Sequence, residues 1–298
     1  MDLNYINTMS HDQSELGLNG TRDCGTFFLD VMDQFERDKV VVTWSEHPRA
    51  TNDSVEELID KSWRDQVKRA EGTTTNIFNG QMCRLISHCC DNDHLDLTLG
   101  PVSFREFIGT NATQAYIRHL HGPEVMANPL GVATAICTRD GLIVLGMRNS
   151  NMIQYAGRIH PVGGTVEPPE RSGDSPDPFK AILDELHEET AVPPDKVSSI
   201  LCLGLVRDRN TVQPELIFDC HVDCDVVSLF ASAATAPDAA EHSSMVPVRD
   251  HPGAVVSFME QHFSQLTPVA MATLLLHGLR HWGSGWFATA RGYLRSVI

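Results

Sequence analysis

The stretch that decides the fold runs from Gly164 to Val192 and reads GTVEPPERSGDSPDPFKAILDELHEETAV. It carries eight acidic residues, and only Arg171 and Lys180 oppose them. Apolar residues at helical spacing predict an amphipathic helix from Phe179 to Val192. Asp177 is a suitable N-cap for it, and the proline that follows suits the first turn.

Three glutamates of this helix share one face beside the apolar stripe. Glu185, Glu188 and Glu189 stand at i, i+3 and i+4, a spacing at which like charges repel one another. A divalent cation would reverse that repulsion, since oxygen donors with room for water and phosphates are what Mg²⁺ prefers. A solvated acidic surface is the alternative interpretation of the helix taken alone.

The glycines before the helix favour the metal interpretation. Gly163 and Gly164 lie on a turn, where paired glycines allow close backbone approach and let a carbonyl point at a metal. The order Gly164-x5-Glu170, followed by the three helix glutamates, resembles the signature of the Nudix hydrolases. That signature reads G-x5-E-x7-R-E-U-x-E-E-x-G-U, in which U is a bulky aliphatic residue.

The chain departs from that signature at three places. The spacer after Glu170 is 13 residues long, from Arg171 to Leu183, in place of seven. Asp184 stands where the signature has arginine, and Ala191 stands where it has glycine. The spacer is rich in Pro, Ser, Asp and Gly and loops out at little cost. The charge reversal at Asp184 would lower activity if it lay beside the metal ligands.

Segments outside the signature resemble one branch of the family. These are residues 104–111, 128–133 and 203–207, which are similar to animal Nudix enzymes that cleave UDP-glucose and UDP-galactose. In that branch the signature arginine and glycine are also replaced and the spacer is also long. The resemblance implies hydrolysis of a UDP-sugar to UMP and sugar 1-phosphate with Mg²⁺, or Mn²⁺, as the cofactor.

The resemblance also implies the fold class. It is α/β, an α/β/α sandwich with a mixed sheet in residues 128–298, preceded by a smaller N-terminal α+β extension in residues 1–127. The hydrophobic pattern agrees, with apolar strands at 132–137, 142–147, 201–206 and 216–222 around the helix. We expect the first twenty-odd residues to be frayed and residues 231–245 to form a mobile loop.

Several residues become candidates for the site through the resemblance. The metal cluster would comprise Glu185, Glu188 and Glu189 with the Gly163 carbonyl, and one of these carboxylates or Glu215 would activate water. Glu170 is expected to anchor the loop. The candidate substrate-binding residues are Arg148, Arg207, Phe104, Arg105 and Asn111. Of the nearby histidines, His187 points away from the carboxylate face and is expected to be exposed, and the role of His160 stays open.

Two alternatives remain beside the UDP-sugar diphosphatase. The first changes the substrate to another nucleoside diphosphate derivative, such as ADP-ribose, a dinucleotide or a coenzyme A compound. The second is a degenerate module that binds a nucleotide or protein without turnover, as Asp184 and Ala191 would allow. Three retained helix glutamates argue against the second, because a binder has no need to keep their repulsion.

Composition excludes several partner classes. The 298 residues carry 23 basic and 39 acidic side chains, a net charge of −16, which disfavours nucleic acid and anionic membranes as partners. Eight scattered cysteines are too few for a disulfide scaffold and fit the reducing cytoplasm. The first residues lack the pattern of a signal peptide, and no apolar run is long enough to span a membrane. The sequence does not specify an oligomeric state.

Overall fold

A computed structural model describes residues 21–71, 77–91, 93–169, 171 and 173–297. The expected fraying of the first twenty residues and the expected anchoring role of Glu170 lie outside this range. The strands are β1 Arg22–Asp23, β2 Phe27–Phe35, β3 Val40–Trp44, β4 Gln81–Asp91, β5 His94–Ser103, β6 Gly131–Thr138, β7 Leu142–Arg148, β8 Ile159–His160, β9 Val162–Thr165, β10 Val197–Asp208, β11 Pro214–Val222 and β12 His242–Arg249. The helices are α1 Asp53–Ala70, α2 Phe104–Phe107, α3 Ile117–His121, α4 Pro178–Thr190, α5 Val226–Ala233, α6 Pro252–Gln261 and α7 Pro268–Val297.

A nine-stranded sheet forms the centre of the described molecule. Its order is β1-β2-β10-β11-β6-β7-β12, with β9 paired to β6 and β8 paired to β7. The sheet is mixed, since β11 and β6 run parallel whereas their other neighbours run antiparallel. β6 can pair with both β7 and β9 because β9 takes residues 131–134 and β7 takes residues 136–137.

Helices cover both faces of this sheet. On one face α4 buries Phe179 and Ile182 in a core that also contains Phe218 of β11. On the other face α7 buries Leu274 and Leu275 against Ile217 of the same strand. Successive residues of β11 thus point to opposite faces of the sheet, as strand geometry requires. The predicted mixed α/β sandwich is confirmed.

The N-terminal part contributes a second, three-stranded sheet in the order β3-β5-β4. Its residues Leu85 and Leu97 share the α4-side core of the large sheet, and Cys83 of β4 donates its N–H to the Val166 carbonyl. Within the three-stranded sheet, β4 and β5 pair antiparallel from Gln81 to Asp91. The chain before residue 128 also supplies β2, which pairs with β10 in the large sheet. The division of the chain at residues 127 and 128 stays a prediction.

The expected mobile loop at residues 231–245 is wrong. Leu229 and Ala233 of α5 are buried, and β12 pairs with β7 from His242 onwards. Local composition did not indicate this strand, because its main partner is a strand about a hundred residues earlier in the chain. α7 consists of two helical segments separated at Gly283, where φ is +85° and ψ is 173°. Within the described ranges, no helix has both the length and the apolar character to cross a membrane.

Candidate active site

A cleft of about 300 Å³ opens beside the glycine turn and α4. Its walls carry the charged and polar side chains of Glu185, Asp208, Glu215, Glu241, Arg148, His160, Tyr155 and Gln213. Met82, Phe104 and Phe107 form an apolar wall supplied by the N-terminal region. Acidic, basic and apolar surfaces therefore meet in one concave site, as ligand sites commonly require.

Glu185 of α4 lies directly against the glycine turn. A Cβ atom at Gly164 would stand 1.8 Å from Glu185 Oε1, so any side chain at position 164 would displace this carboxylate. Burial, followed by the neighbouring charges of Glu189 and Glu241, raises the pKa of Glu185 to about 8. The cleft thus concentrates negative charge that the surrounding protein does not fully neutralise.

Glu189 lies beneath the turn, where only 2% of the residue is exposed. Its Oε1 accepts a hydrogen bond of 2.9 Å from the Gly163 N–H, and its Oε2 contacts His242 Nε2. Two glycines make room here. A Cβ at Gly163 would stand 2.0 Å from the Val132 carbonyl oxygen, and a Cβ at Gly146 would stand 2.2 Å from His242 Nδ1. Glu189 therefore holds the turn in position from below.

Glu188 occupies the outer side of α4 and is exposed. Partial burial and the neighbouring charge of Asp238 raise the pKa of its carboxyl group. The three helix glutamates thus have three different surroundings. Glu185 lines the cleft, Glu189 is buried under the turn, and Glu188 faces the solvent beside the segment at Asp238.

Glu215 enters the cleft from the start of β11. It is 8% exposed, and a Cβ at Gly131 of the neighbouring strand would stand 2.6 Å from Glu215 Cγ. Burial, followed by the charge of Asp208, raises the pKa of Glu215 to about 8. A carboxyl group in such surroundings can exchange a proton near neutral pH, as a general base must.

Among the predicted substrate-binding residues, Arg148 and Phe104 line the cleft. The Arg148 Nε–H donates to the Gln154 carbonyl at 3.0 Å, which fixes the guanidinium beside the acidic wall. Arg207 instead pairs with Asp30 at 2.7 Å, and the Arg105 guanidinium contacts Asp60.

Asn111 is buried under the cleft. Its amide donates to the Thr211 carbonyl at 2.9 Å and to Asn128 Oδ1 at 3.0 Å. It therefore links the N-terminal region to the turn between β10 and β11 and to the segment that precedes β6.

The two histidines differ in their surroundings. His160 is buried, its Nδ1 lies 2.9 Å from Thr267 Oγ1, and burial followed by the Arg148 charge lowers its pKa well below the usual value. His160 therefore faces the cleft as a neutral ring. His187 is exposed, which confirms the prediction for that residue.

Sequence reasoning missed Asp208, Tyr155, Glu241 and His242. The Tyr155 hydroxyl donates to Asp208 Oδ2 at 2.5 Å, and this pair lies across the cleft from α4. Glu241 and His242 belong to the segment that was expected to be a loop. The sequence signal at these two positions is an acidic residue next to a histidine. This signal does not indicate a site until the pairing of β12 with β7 is known.

Two of the three departures from the signature, Asp184 and Ala191, lie outside the cleft. Asp184 accepts a hydrogen bond of 2.5 Å from Lys180 Nζ one turn earlier on α4, and it does not line the cleft. Ala191 ends α4 with φ at +55°, in the left-handed region that glycine favours. The carboxylate of Asp184 is thus paired with a neighbouring cation, and Ala191 takes the place of glycine at the expense of local backbone strain.

The chain is similar to several known proteins. No family model matches the chain. Nudix hydrolase 9 of Arabidopsis thaliana is 28% identical over 215 residues, which cover 60% of this chain and 68% of that protein. The uridine diphosphate glucose pyrophosphatase NUDT22 of Bos taurus is 29% identical over 153 residues, covering 44% of this chain and 52% of that protein. The crystal structure of a MutT protein from Methanosarcina mazei Go1 aligns with a TM-score of 0.34 at 16% identity, over 51% of this chain and 94% of that one.

The alignment with the bovine protein spans about half of its length. The two curated relatives carry the names of a Nudix hydrolase and of a uridine diphosphate glucose pyrophosphatase. They confirm the resemblance of this chain to the Nudix hydrolases, which was predicted from the Gly164–Val192 stretch. They also confirm its resemblance to the UDP-glucose branch, which was predicted from residues 104–111, 128–133 and 203–207.

Proposed function

We propose that this protein is a Mg²⁺-dependent hydrolase that cleaves the diphosphate of a UDP-sugar, UDP-glucose or UDP-galactose, to UMP and sugar 1-phosphate. The observation that carries the proposal is the approach of the Glu185 carboxylate to the Gly163–Gly164 turn in a cleft that also holds Arg148 and Glu215. Similarity to a relative named for UDP-glucose supports the choice of substrate.

The residues around the turn suit a hard divalent cation. Carboxylate and carbonyl oxygens are the donors that Mg²⁺ prefers, and Mn²⁺ accepts the same set. We propose that Glu185, Glu188, Glu189 and the Gly163 carbonyl hold the ion, and that Glu241 adds a fifth donor from the turn just before β12. When bound, Mg²⁺ neutralises the charge of the diphosphate and of the developing transition state.

The chain itself supplies binding and proton transfer. Arg148 binds the phosphate oxygens, because its planar guanidinium suits them and its Nε is already fixed by the Gln154 carbonyl. Glu215 accepts the proton of the attacking water, since its raised pKa leaves it able to take up a proton near neutrality. Phe104 contributes an apolar wall for the nucleoside.

The other predicted substrate-binding residues position these groups. Arg105 adjoins Phe104 and contacts Asp60, which fixes the start of α2 against α1. Arg207 adjoins Asp208 and pairs with Asp30 of β2. We propose that both act on the substrate through their neighbours, as Asn111 does through the turn at Thr211.

Release of sugar 1-phosphate from UDP-glucose tests the proposal. The wild type should release sugar 1-phosphate with Mg²⁺ and not with EDTA. Glu185→Gln should lower the rate by about 100-fold or more, since mutations of residues that only orient metal ligands already lower activity about 10–100-fold. Glu57→Gln on the exposed side of α1 is the control and should match the wild type.

The other outcomes separate the alternatives. Binding of UDP-glucose without turnover would support the non-catalytic module. Turnover of ADP-ribose, a dinucleotide or a coenzyme A compound in preference to UDP-glucose would keep the diphosphate chemistry and replace the substrate.

We also propose a cytoplasmic location for the enzyme. Its support is that all eight cysteines are free thiols, five of them buried, as is usual in a reducing compartment.

A further inference from the structure

A cluster of imidazole and carboxylate groups lies between β11 and α7, away from the cleft. Its centre is Asp219, which is fully buried. Asp219 follows Glu215 by four residues on β11, so the cluster lies about 13 Å along the strand from the start of the active cleft. The proposed hydrolase reaction uses none of its members.

Strand and helix periodicity bring the members together. Asp219 and His221 are two residues apart on β11 and therefore point to the same face of the sheet. His277 and His281 are four residues apart on α7 and therefore lie one above the other on its surface. α7 packs on the sheet face to which Asp219 points, so the two pairs meet.

The geometry points to a metal site. His281 Nε2 lies 2.9 Å from Asp219 Oδ2, and His221 Nε2 lies 3.9 Å from Asp219 Oδ1. With one ligand atom taken from each of the three residues, these atoms all lie within 4.8 Å of one another. His221 Nε2 is buried and has no hydrogen-bond partner among the residues that the structure describes, although it lies 3.9 Å from the Asp219 carboxylate. We propose that Asp219, His221 and His281 bind a divalent transition-metal ion, with Zn²⁺ as the first choice.

Neighbouring groups fix the carboxylate from behind. His277 Nδ1 lies 3.2 Å from Asp219 Oδ1, and its Nε2 lies 3.1 Å from Asp250 Oδ1. Arg280 donates to Asp219 Oδ2 at 3.1 Å, and the Cys137 thiol donates to Oδ1 at 3.1 Å. Hydrogen bonds of this kind orient metal-binding side chains in known sites.

An alternative grouping of Cys137, Asp219 and His277 also has its ligand atoms within 4.8 Å of one another. It is buried throughout, and both ring nitrogens of His277 already face carboxylates. The outer grouping is accessible, since 33% of the His221 side chain and 27% of the His281 side chain are exposed. The ion is therefore assigned to the outer grouping.

The donor set selects the class of metal. Two imidazole nitrogens and one carboxylate favour Zn²⁺, Co²⁺, Ni²⁺ or Cu²⁺, whereas Mg²⁺ prefers oxygen donors alone. Three protein ligands leave a fourth position for water or a small anion. His221 also lines a surface cleft of about 270 Å³ with Arg139 and Lys196, which gives an anion a route to that position.

The full chain is freed of metal with EDTA and desalted. Titration calorimetry with Zn²⁺ then tests the assignment. The expected result is one tightly bound Zn²⁺ per chain. The affinity for Zn²⁺ should fall at least about 100-fold in His221→Ala and in His281→Ala, since even mutations of residues that only orient metal ligands lower the affinity about 10–100-fold. His119→Ala on the exposed side of α3 is the matched control, and Glu185→Gln alters the active cleft alone. Both should keep the tight Zn²⁺ at Asp219, His221 and His281, whatever ion the active cleft binds, so failure of this proposal and failure of the hydrolase proposal are separable.

X-ray absorption of the zinc-loaded wild type requires no variant. Two imidazole ligands per Zn²⁺ would support the site, and a spectrum without imidazole scattering would overturn it. Unchanged affinity in both histidine variants, or no Zn²⁺ binding to the wild type, would equally overturn it and leave the cluster as a hydrogen-bonded contact between β11 and α7.

Discussion

Ala191 shows how one residue can carry strain at the edge of the candidate site. It ends α4 with φ at +55°, a conformation that costs an L-residue about 1–2 kcal/mol and glycine almost nothing. Ala191→Gly is therefore expected to raise the free energy of unfolding by about 1 kcal/mol, measured by urea denaturation. Ala288→Gly at an exposed position inside α7 is the control and should lower it by about the same amount. A loss of stability in Ala191→Gly would contradict the strain.

Glu215 makes the stability of the protein depend on pH. Its pKa is about 8 in the folded protein against 4.5 as the ordinary value, so between pH 4.5 and 8 the unfolded chain ionises while the folded chain keeps the proton. The folded state therefore loses stability as pH rises through this window. Glu215→Gln should be more stable than the wild type at pH 8, by on the order of 3 kcal/mol, and equal to it near pH 4.

Urea denaturation from pH 4 to pH 8 in the presence of EDTA measures this difference. The low-pH end of the series is the internal control, because both side chains are neutral there. A difference between the two proteins that stays constant with pH would refute the raised pKa of Glu215.

At the scale of elements, Arg207 joins β10 to β2. Its Nε–H donates to Asp30 at 2.7 Å, and only 11% of the Arg207 side chain and 1% of the Asp30 side chain are exposed. Removing one partner of a buried pair leaves an uncompensated charge, which costs about 3–5 kcal/mol. Arg207→Met should therefore lower stability by about this amount in chemical denaturation.

The double variant Arg207→Met with Asp30→Leu tests whether the loss of stability comes from the unpaired charge of Asp30. Replacing both partners by apolar residues should restore much of the lost stability. Unchanged stability with lost turnover in Arg207→Met would instead place Arg207 in direct contact with substrate.

Elements with local signals were predictable. The helix expected at residues 179–192 is α4 at Pro178–Thr190, because Asp177 accepts hydrogen bonds from the N–H groups of residues 179 and 180 and Ala191 ends the helix. β12 was not predictable, since its residues become a strand through pairing with β7. The same holds for β2, which is paired between β1 and β10.

At the scale of the whole molecule, the N-terminal region completes the large sheet. Phe27 and Phe35 of β2 are fully buried, and their strand covers the edge of β10. A fragment of residues 128–298 would expose that edge and lose both aromatic side chains, and exposed edges promote aggregation. We expect the fragment to aggregate or to unfold without cooperativity in size-exclusion chromatography and thermal denaturation.

A monomeric fragment with a sharp thermal transition would contradict this expectation. It would also support residues 128–298 as an independently folding domain. The full chain measured in the same buffer is the control.

The sequence by itself determined the glycine turn and the helix α4 of the candidate site. Gly163, Gly164 and the glutamates of α4 lie within 27 residues of one another, so their arrangement follows from turn, cap and helix geometry. Periodicity likewise determined the apolar stripe of α4 that packs on the sheet.

Only the tertiary structure decided which side chains complete the cleft. Glu215, Glu241, Arg148 and Phe104 come from separate parts of the chain. They meet because the start of β11, the turn before β12, the end of β7 and the start of α2 all border the cleft. The structure also gave the three helix glutamates different roles, since burial and hydrogen-bond partners depend on what packs around α4. For the same physical reason the sequence did not predict the cluster at Asp219. Its members are as far as 62 residues apart and meet only when α7 packs on β11.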